Sequence, residues 1–136
     1  MDREAYIETL LDYYENPRNN GPLENAQLHA SGSNPGCGDV VSMYARLDAD
    51  NRLSEVSFEG QGCTISQAAA SLLTELVQGK TLAELEVMSP GDLSEELGPE
   101  LLNVRPRCAT LGLSVLKNAA RDYLGSPSAL PSDCAR

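Results

Sequence analysis

The sequence predicts an α+β domain in which a three-stranded antiparallel sheet packs against several helices. Two observations carry this prediction. Apolar residues recur at helical spacing at the start of the chain and again in its second half, whereas they alternate in the segment between. The alternating segments follow one another with turns between them and no intervening helix, which is typical of an antiparallel meander.

The first helix is predicted over residues 2–14, where Tyr6, Leu10 and Tyr13 recur at helical spacing. Asp2 can cap its start. Pro17 ends the helix, because proline disfavours helical geometry in the residue before it.

Three strands are predicted next, each with apolar residues on alternate positions. Met43 and Phe58 are typical of these positions, and a turn follows the second strand. We expect the sheet to bury one face and leave the other polar, with His29 on the polar face. The strands are expected at residues 26–31, 40–47 and 53–59.

The pattern then returns to helical spacing. A helix is predicted over 64–77, with Ile65, Ala69, Leu72 and Leu76 as its apolar stripe. Short helices are expected after Thr81 and Ser89, each followed three residues later by an acid that can complete a cap. A longer helix is predicted over 106–124. We therefore expect one domain over residues 1–124 and a flexible tail over 125–136.

Composition excludes several classes of function. The formal net charge is −10 and the pI is about 4.4, which disfavours binding to nucleic acid or to anionic membranes. No apolar run is long enough to span a bilayer, and the charged N-terminus does not resemble a signal peptide. We therefore expect a cytoplasmic location, where thiols stay reduced. With a single histidine and no nucleotide-binding glycine fingerprint, hydrolytic and hydride-transfer chemistry have no support.

Three of the four cysteines lie where secondary-structure elements meet. Cys37 lies in a turn-rich segment before the second strand, Cys63 at the passage from the third strand to a helix, and Cys108 in the first turn of the last helix. A helix N-terminus favours the thiolate, so Cys63 and Cys108 are expected to be activated. Cys134 lies in the tail, and we expect it to be an idle thiol.

Asp39 follows Cys37 by two residues, so the two side chains share one side if the segment is extended. Three thiolates and a carboxylate suit zinc or an iron–sulfur cluster. Two simpler interpretations stay open. The cysteines can be ordinary buried residues, and Asp39 can be a turn or capping residue.

Four segments together resemble one known family. Gly36–Asp39 read Gly-Cys-Gly-Asp, residues 60–66 read Gly-Gln-Gly-Cys-Thr-Ile-Ser, and residues 107–111 read Arg-Cys-Ala-Thr-Leu. Residues 14–19 add Tyr-Glu-Asn-Pro-Arg-Asn. In this order they resemble the IscU/SufU/NifU N-terminal family of iron–sulfur cluster assembly scaffolds, over residues 1 to about 124.

The resemblance implies a site made of Cys37, Asp39, Cys63 and Cys108. It implies a cysteine desulfurase as the partner that supplies sulfur, a [2Fe-2S] cluster that forms with added iron, and transfer of that cluster to apo iron–sulfur proteins or carriers. Zinc often occupies the same site in the family.

Two departures separate this chain from the IscU branch. Arg107 stands where that branch has a histidine, and arginine does not ligate metals. Leu102–Pro106 replace the segment that a dedicated chaperone pair reads, so that pair is not expected as a partner. Both departures resemble the SufU branch, yet the insertion that SufU proteins carry between the second and third cysteines is missing. The branch therefore stays open.

Two functions are consistent with these features. The first is a scaffold that assembles and transfers a [2Fe-2S] cluster. The alternative is a zinc-bound sulfur acceptor of the SufU type that stimulates a cysteine desulfurase. Whether the chain acts as an enzyme is therefore left open. A purely structural zinc module is a further possibility.

Two cysteines are candidate persulfide acceptors. Cys108 is a candidate because Arg105 and Arg107 favour its thiolate, and Cys37 is a candidate because the flanking glycines extend its reach.

Overall fold

The computed structural model describes residues 3–34, 38–98 and 106–125. Within these ranges the chain forms one antiparallel sheet of three strands and five helices, as predicted. In chain order the elements are α1 (Arg3–Glu15), β1 (Leu28–Asn34), β2 (Asp39–Leu47), β3 (Leu53–Gln61), α2 (Thr64–Val77), α3 (Leu82–Glu86), α4 (Pro90–Leu97) and α5 (Pro106–Gly125).

The sheet has the order β1-β2-β3, with Leu28 opposite Ala45 and Met43 opposite Phe58. Every second residue of β2 is buried, which confirms the predicted alternation, and His29 is exposed on β1 as expected. The predicted end of β1 at residue 31 was wrong, because the strand continues to Asn34. Its Gly and Ser residues have weak strand propensity, and pairing with β2 keeps them extended.

The helices α2 and α5 pack together against one face of the sheet. Glycine permits one of these contacts: a Cβ atom built on Gly32 of β1 would lie 2.6 Å from Val115 Cγ2 of α5. The stripe predicted for α2 was too narrow. Ile65 and Leu76 are only half-buried, whereas Ala70 and Leu73 are fully buried, because the sheet, α1 and α5 surround this helix on several sides.

The segment after α1 holds that helix to α2 and β3. The Arg18 backbone N–H donates to Ser71 Oγ at 2.8 Å, and Asn19 Nδ2 donates to Thr74 Oγ1 at 3.0 Å. Phe58 N–H of β3 donates to the Asn19 carbonyl at 3.0 Å. These contacts give residues 14–19 a structural role, since they fix the path of the chain from α1 to the sheet.

The caps predicted at Thr81 and Ser89 are present. Thr81 and Glu84 exchange hydrogen bonds at the start of α3, and the Ser89 N–H donates to Asp92 Oδ2 at 2.9 Å before α4. Within the described ranges, no helix is long and apolar enough to cross a membrane. Asp2 and residues 126–136 lie outside the described residues, so the cap at Asp2, the domain limit and the flexible tail stay predictions.

We predict that Ser71→Ala lowers the free energy of unfolding by about 1–3 kcal/mol, because the Arg18 N–H loses its acceptor at a buried position. Urea unfolding measures the loss. Ser114→Ala on the exposed face of α5 is the matched control, and we expect it to stay within about 0.5 kcal/mol of the parent chain. Equal losses in the two variants would show that the Arg18 contact does not stabilise the fold.

Candidate metal centre

Three of the four predicted ligands converge at the starts of three elements. Asp39 begins β2, Cys63 immediately precedes α2, and Cys108 is the third residue of α5. One ligand atom from each residue lies within 4.8 Å of the other two. Cys37, the fourth predicted ligand, lies outside the described residues.

The Asp39 carboxylate is fully buried and is held by the start of α2. Oδ1 accepts the Cys63 backbone N–H at 2.7 Å, and Oδ2 lies 3.7 Å from Cys63 Sγ. Burial by itself raises the pKa of Asp39. The hydrogen bonds from the Cys63 N–H and from the Cys108, Cys63 and Ser66 side chains outweigh it, so the pKa lies below its ordinary value. The carboxylate is therefore ionised at neutral pH.

Cys63 caps the N-terminus of α2. Its extended backbone (φ −72°, ψ 161°) lets Sγ accept the Ser66 N–H at 3.4 Å, and Ser66 Oγ returns a bond to the Cys63 carbonyl at 3.1 Å. The predicted placement of Cys63 at a helix start is confirmed.

Cys108 occupies the first turn of α5 and is only 1 % exposed. Asn34 Nδ2, at the end of β1, donates to its Sγ at 3.7 Å. Arg107 is exposed beside this buried cysteine, and Arg105 lies outside the described residues. The site thus lies between two helix N-termini and the beginning of β2.

Sequence reasoning missed two residues at this site, Ser66 and Asn34. Ser66 had a usable signal, since it follows Cys63 by three residues, the spacing of a helix cap. Asn34 had none, because nothing local indicates that the last residue of β1 reaches the start of α5.

The donor set fits a metal of intermediate softness. Thiolate sulfur suits zinc and iron, and a carboxylate adds a harder oxygen. Two ligand atoms of a tetrahedral zinc ion are about 3.6 Å apart for ordinary Zn–S and Zn–O bonds. The separation of 3.7 Å between Cys63 Sγ and Asp39 Oδ2 is close to this value. Asp39 also serves the capping role considered above, because it accepts the Cys63 amide.

The chain is similar in sequence to a known domain family and to several known proteins. Residues 5–129 match the family model described as the NifU-like N-terminal domain. The iron–sulfur cluster assembly scaffold protein IscU of Escherichia coli K12 is 35% identical over 122 residues, which cover 88% of this chain and 94% of the relative. IscU 1 of Archaeoglobus fulgidus is 33% identical over 118 residues, covering 87% of this chain and 76% of the relative.

Two solved structures have the same fold. A crystal structure of an iron–sulfur cluster assembly scaffold protein for the SUF system of Fervidobacterium islandicum AW-1 superposes with a TM-score of 0.73 at 27% identity, covering 88% of this chain and 99% of that one. A NifU-like N-terminal protein of Brucella abortus superposes with a TM-score of 0.76 at 18% identity, over 93% of this chain and 97% of that one. The second likeness concerns the fold alone.

We predict that Gly62→Ala disrupts the centre. A Cβ atom at Gly62 would lie 2.3 Å from Asp39 Oδ1 and 2.7 Å from its Cα, so the carboxylate must move away from Cys63. Titration with Co²⁺, read by its sulfur-to-metal absorption, should show affinity reduced by about tenfold or more.

Gly79→Ala is the matched control for this substitution. Gly79 also has a positive φ (+87°, against +135° at Gly62), but its Cβ would meet no atom within 4 Å. We expect Gly79→Ala to lose about 1 kcal/mol of stability through backbone strain and to keep the Co²⁺ affinity of the parent. Equal Co²⁺ affinity in both variants would contradict the prediction.

Proposed function

This chain belongs to the NifU-like N-terminal domain family, and from that premise we propose that it is an iron–sulfur cluster assembly scaffold. The observation that carries the proposal is the convergence of Asp39, Cys63 and Cys108 at the starts of three elements. Relatives that cover most of this chain bear the name of cluster assembly scaffolds. A site of two thiolates and a carboxylate in this position fits such cargo.

We propose Cys37, Asp39, Cys63 and Cys108 as the ligands of the cluster. Cys37 precedes Asp39 by two residues, so covalent geometry keeps its Cα within about 7 Å of the Asp39 Cα. The Gly38 N–H donates to the Asn34 carbonyl at 2.9 Å, which fixes the chain on both sides of residues 35–37. A third thiolate from Cys37 would complete four donors with the three residues already described.

The sulfur comes from a cysteine desulfurase in this proposal. A site thiolate attacks the terminal sulfur of the desulfurase persulfide, forms a new S–S bond and releases the desulfurase thiolate. Iron and electrons come from other donors, and the [2Fe-2S] product passes to apo iron–sulfur proteins or carriers. All of these steps need reduced thiols, which supports a location in the cytoplasm.

We propose Cys37 as the first sulfur acceptor. Cys108 was the other candidate, but its side chain is 1 % exposed, and an attacking sulfur must reach a persulfide on another protein. Glycines flank Cys37 in the sequence, which leaves room for a partner's chain to approach.

A second candidate function is a zinc-bound sulfur acceptor that stimulates the desulfurase. The observation that favours it is Arg107, which stands where the IscU branch has histidine and in this resembles the SufU branch. Zinc would hold the same thiolates and Asp39 in a closed, redox-inert site until sulfur arrives.

Reconstitution separates the two functions. With iron, cysteine and a desulfurase under anaerobic conditions, we expect visible charge-transfer bands and about two irons per chain. Cys37→Ser, Cys63→Ser and Cys108→Ser should each lose the bands, because serine is a poor ligand for iron–sulfur clusters. Cys134→Ser is the matched control and should keep them. Tightly bound zinc, no cluster and faster desulfurase turnover would replace the scaffold by the zinc acceptor.

Asp39→Ala should keep the cluster and transfer it more slowly, by roughly tenfold, the effect of about 1.4 kcal/mol. The carboxylate adds negative charge beside anionic thiolates, and its oxygen is the ligand that matches iron–sulfur chemistry least well. Removing it should make release harder. The half-time of transfer to an apo-ferredoxin measures the effect, with Asp50→Ala in an exposed turn as control. Equal half-times for Asp39→Ala and the parent would contradict this role.

A further inference from the structure

Asn34 connects two parts of the metal centre. It is the last residue of β1, is 7 % exposed and pairs with Asp39 across the sheet. Its carbonyl accepts the N–H of Gly38, the residue before Asp39, at 2.9 Å. Its side-chain amide donates to Cys108 Sγ at 3.7 Å. One residue therefore contacts both Gly38, directly before Asp39, and Cys108 at the start of α5.

The bond from Asn34 reaches a sulfur that lies beside a buried carboxylate. Cys108 Sγ shares its surroundings with the Asp39 carboxylate and Cys63 Sγ, all within 4.8 Å. When a metal binds, both sulfurs would be thiolates beside that carboxylate, and hydrogen-bond donors to sulfur would offset part of their charge. An amide N–H is such a donor. It is neutral at every working pH and does not compete for the metal as a charged ligand would.

We propose that Asn34 is a positioning residue that sets how tightly this centre holds its metal or cluster. Its amide directs the Cys108 sulfur toward Asp39 and Cys63 and withdraws charge from that sulfur. Residues that hold metal ligands in this way commonly change metal affinity by 10–100-fold. The proposal rests on the proposed function only in requiring that the centre binds metal.

The test uses Co²⁺ with the full chain, reduced and free of other metals. Asn34→Leu keeps a side chain of similar size without a donor, and Asn34→Ala removes the amide without adding bulk. Ser33→Ala, one residue earlier on β1 and exposed, is the matched control. All three substitutions leave the Asn34 carbonyl contact to Gly38 available, since they change side chains only. Thermal unfolding of the apo chains checks that each variant folds.

We expect both Asn34 variants to bind Co²⁺ about 10–100-fold more weakly than the parent and to move the sulfur-to-cobalt band to longer wavelength. The band moves because a thiolate without its hydrogen bond is easier to oxidise, and a merely structural change would not shift it in this direction. If Asn34→Leu does not fold, Asn34→Ala carries the same test. Affinity within twofold of Ser33→Ala and an unmoved band would overturn the proposal for Asn34. Failure of the parent chain itself to bind Co²⁺ would overturn the proposed function instead.

Discussion

The burial of one carboxylate constrains the whole arrangement of this molecule. Asp39 is fully buried, and an ionised group in that position must be hydrogen-bonded. The Cys63 amide meets this need at 2.7 Å. That contact brings the start of α2 against the start of β2, and it leaves no room for a side chain at Gly62, which a Cβ would bring to 2.3 Å from Oδ1. The start of β2, the turn at Gly62 and the start of α2 therefore meet around this bond.

The remaining architecture keeps that arrangement in place. The α2 and α5 helices pack on the sheet so that their N-termini lie beside Asp39, which sets two helix dipoles near the same three donors. The backbone N–H of Arg18, in the segment after α1, adds a contact to α2 through Ser71, a residue buried in the middle of that helix. The helices α2 and α5 thus both pack on the sheet and position donors of the site.

Sequence patterns were sufficient for most of the fold because its elements have strong local signals. The predicted bounds of α2 coincide with the observed Thr64–Val77, and the cap at Thr81 is present as predicted. Local patterns gave the wrong end of β1, because tertiary contacts set the length of this strand. Glycine is typical of a strand end, yet β1 continues past Gly32 because β2 and α5 pack against it. The meeting of Asp39, Cys63 and Cys108 was expected from a family resemblance and not from spacing. Asn34 could not be predicted, since its partner Cys108 is remote in sequence.

The positions of Asp39, Cys63 and Cys108 along the chain have a consequence for turnover. An ion held by all three would be bound by residues that are far apart in the sequence and that come together only in the folded chain. Because unfolding must release that ion, a bound ion raises the free energy of unfolding of the chain. Empty copies open more often than filled ones and expose their backbone to proteases first.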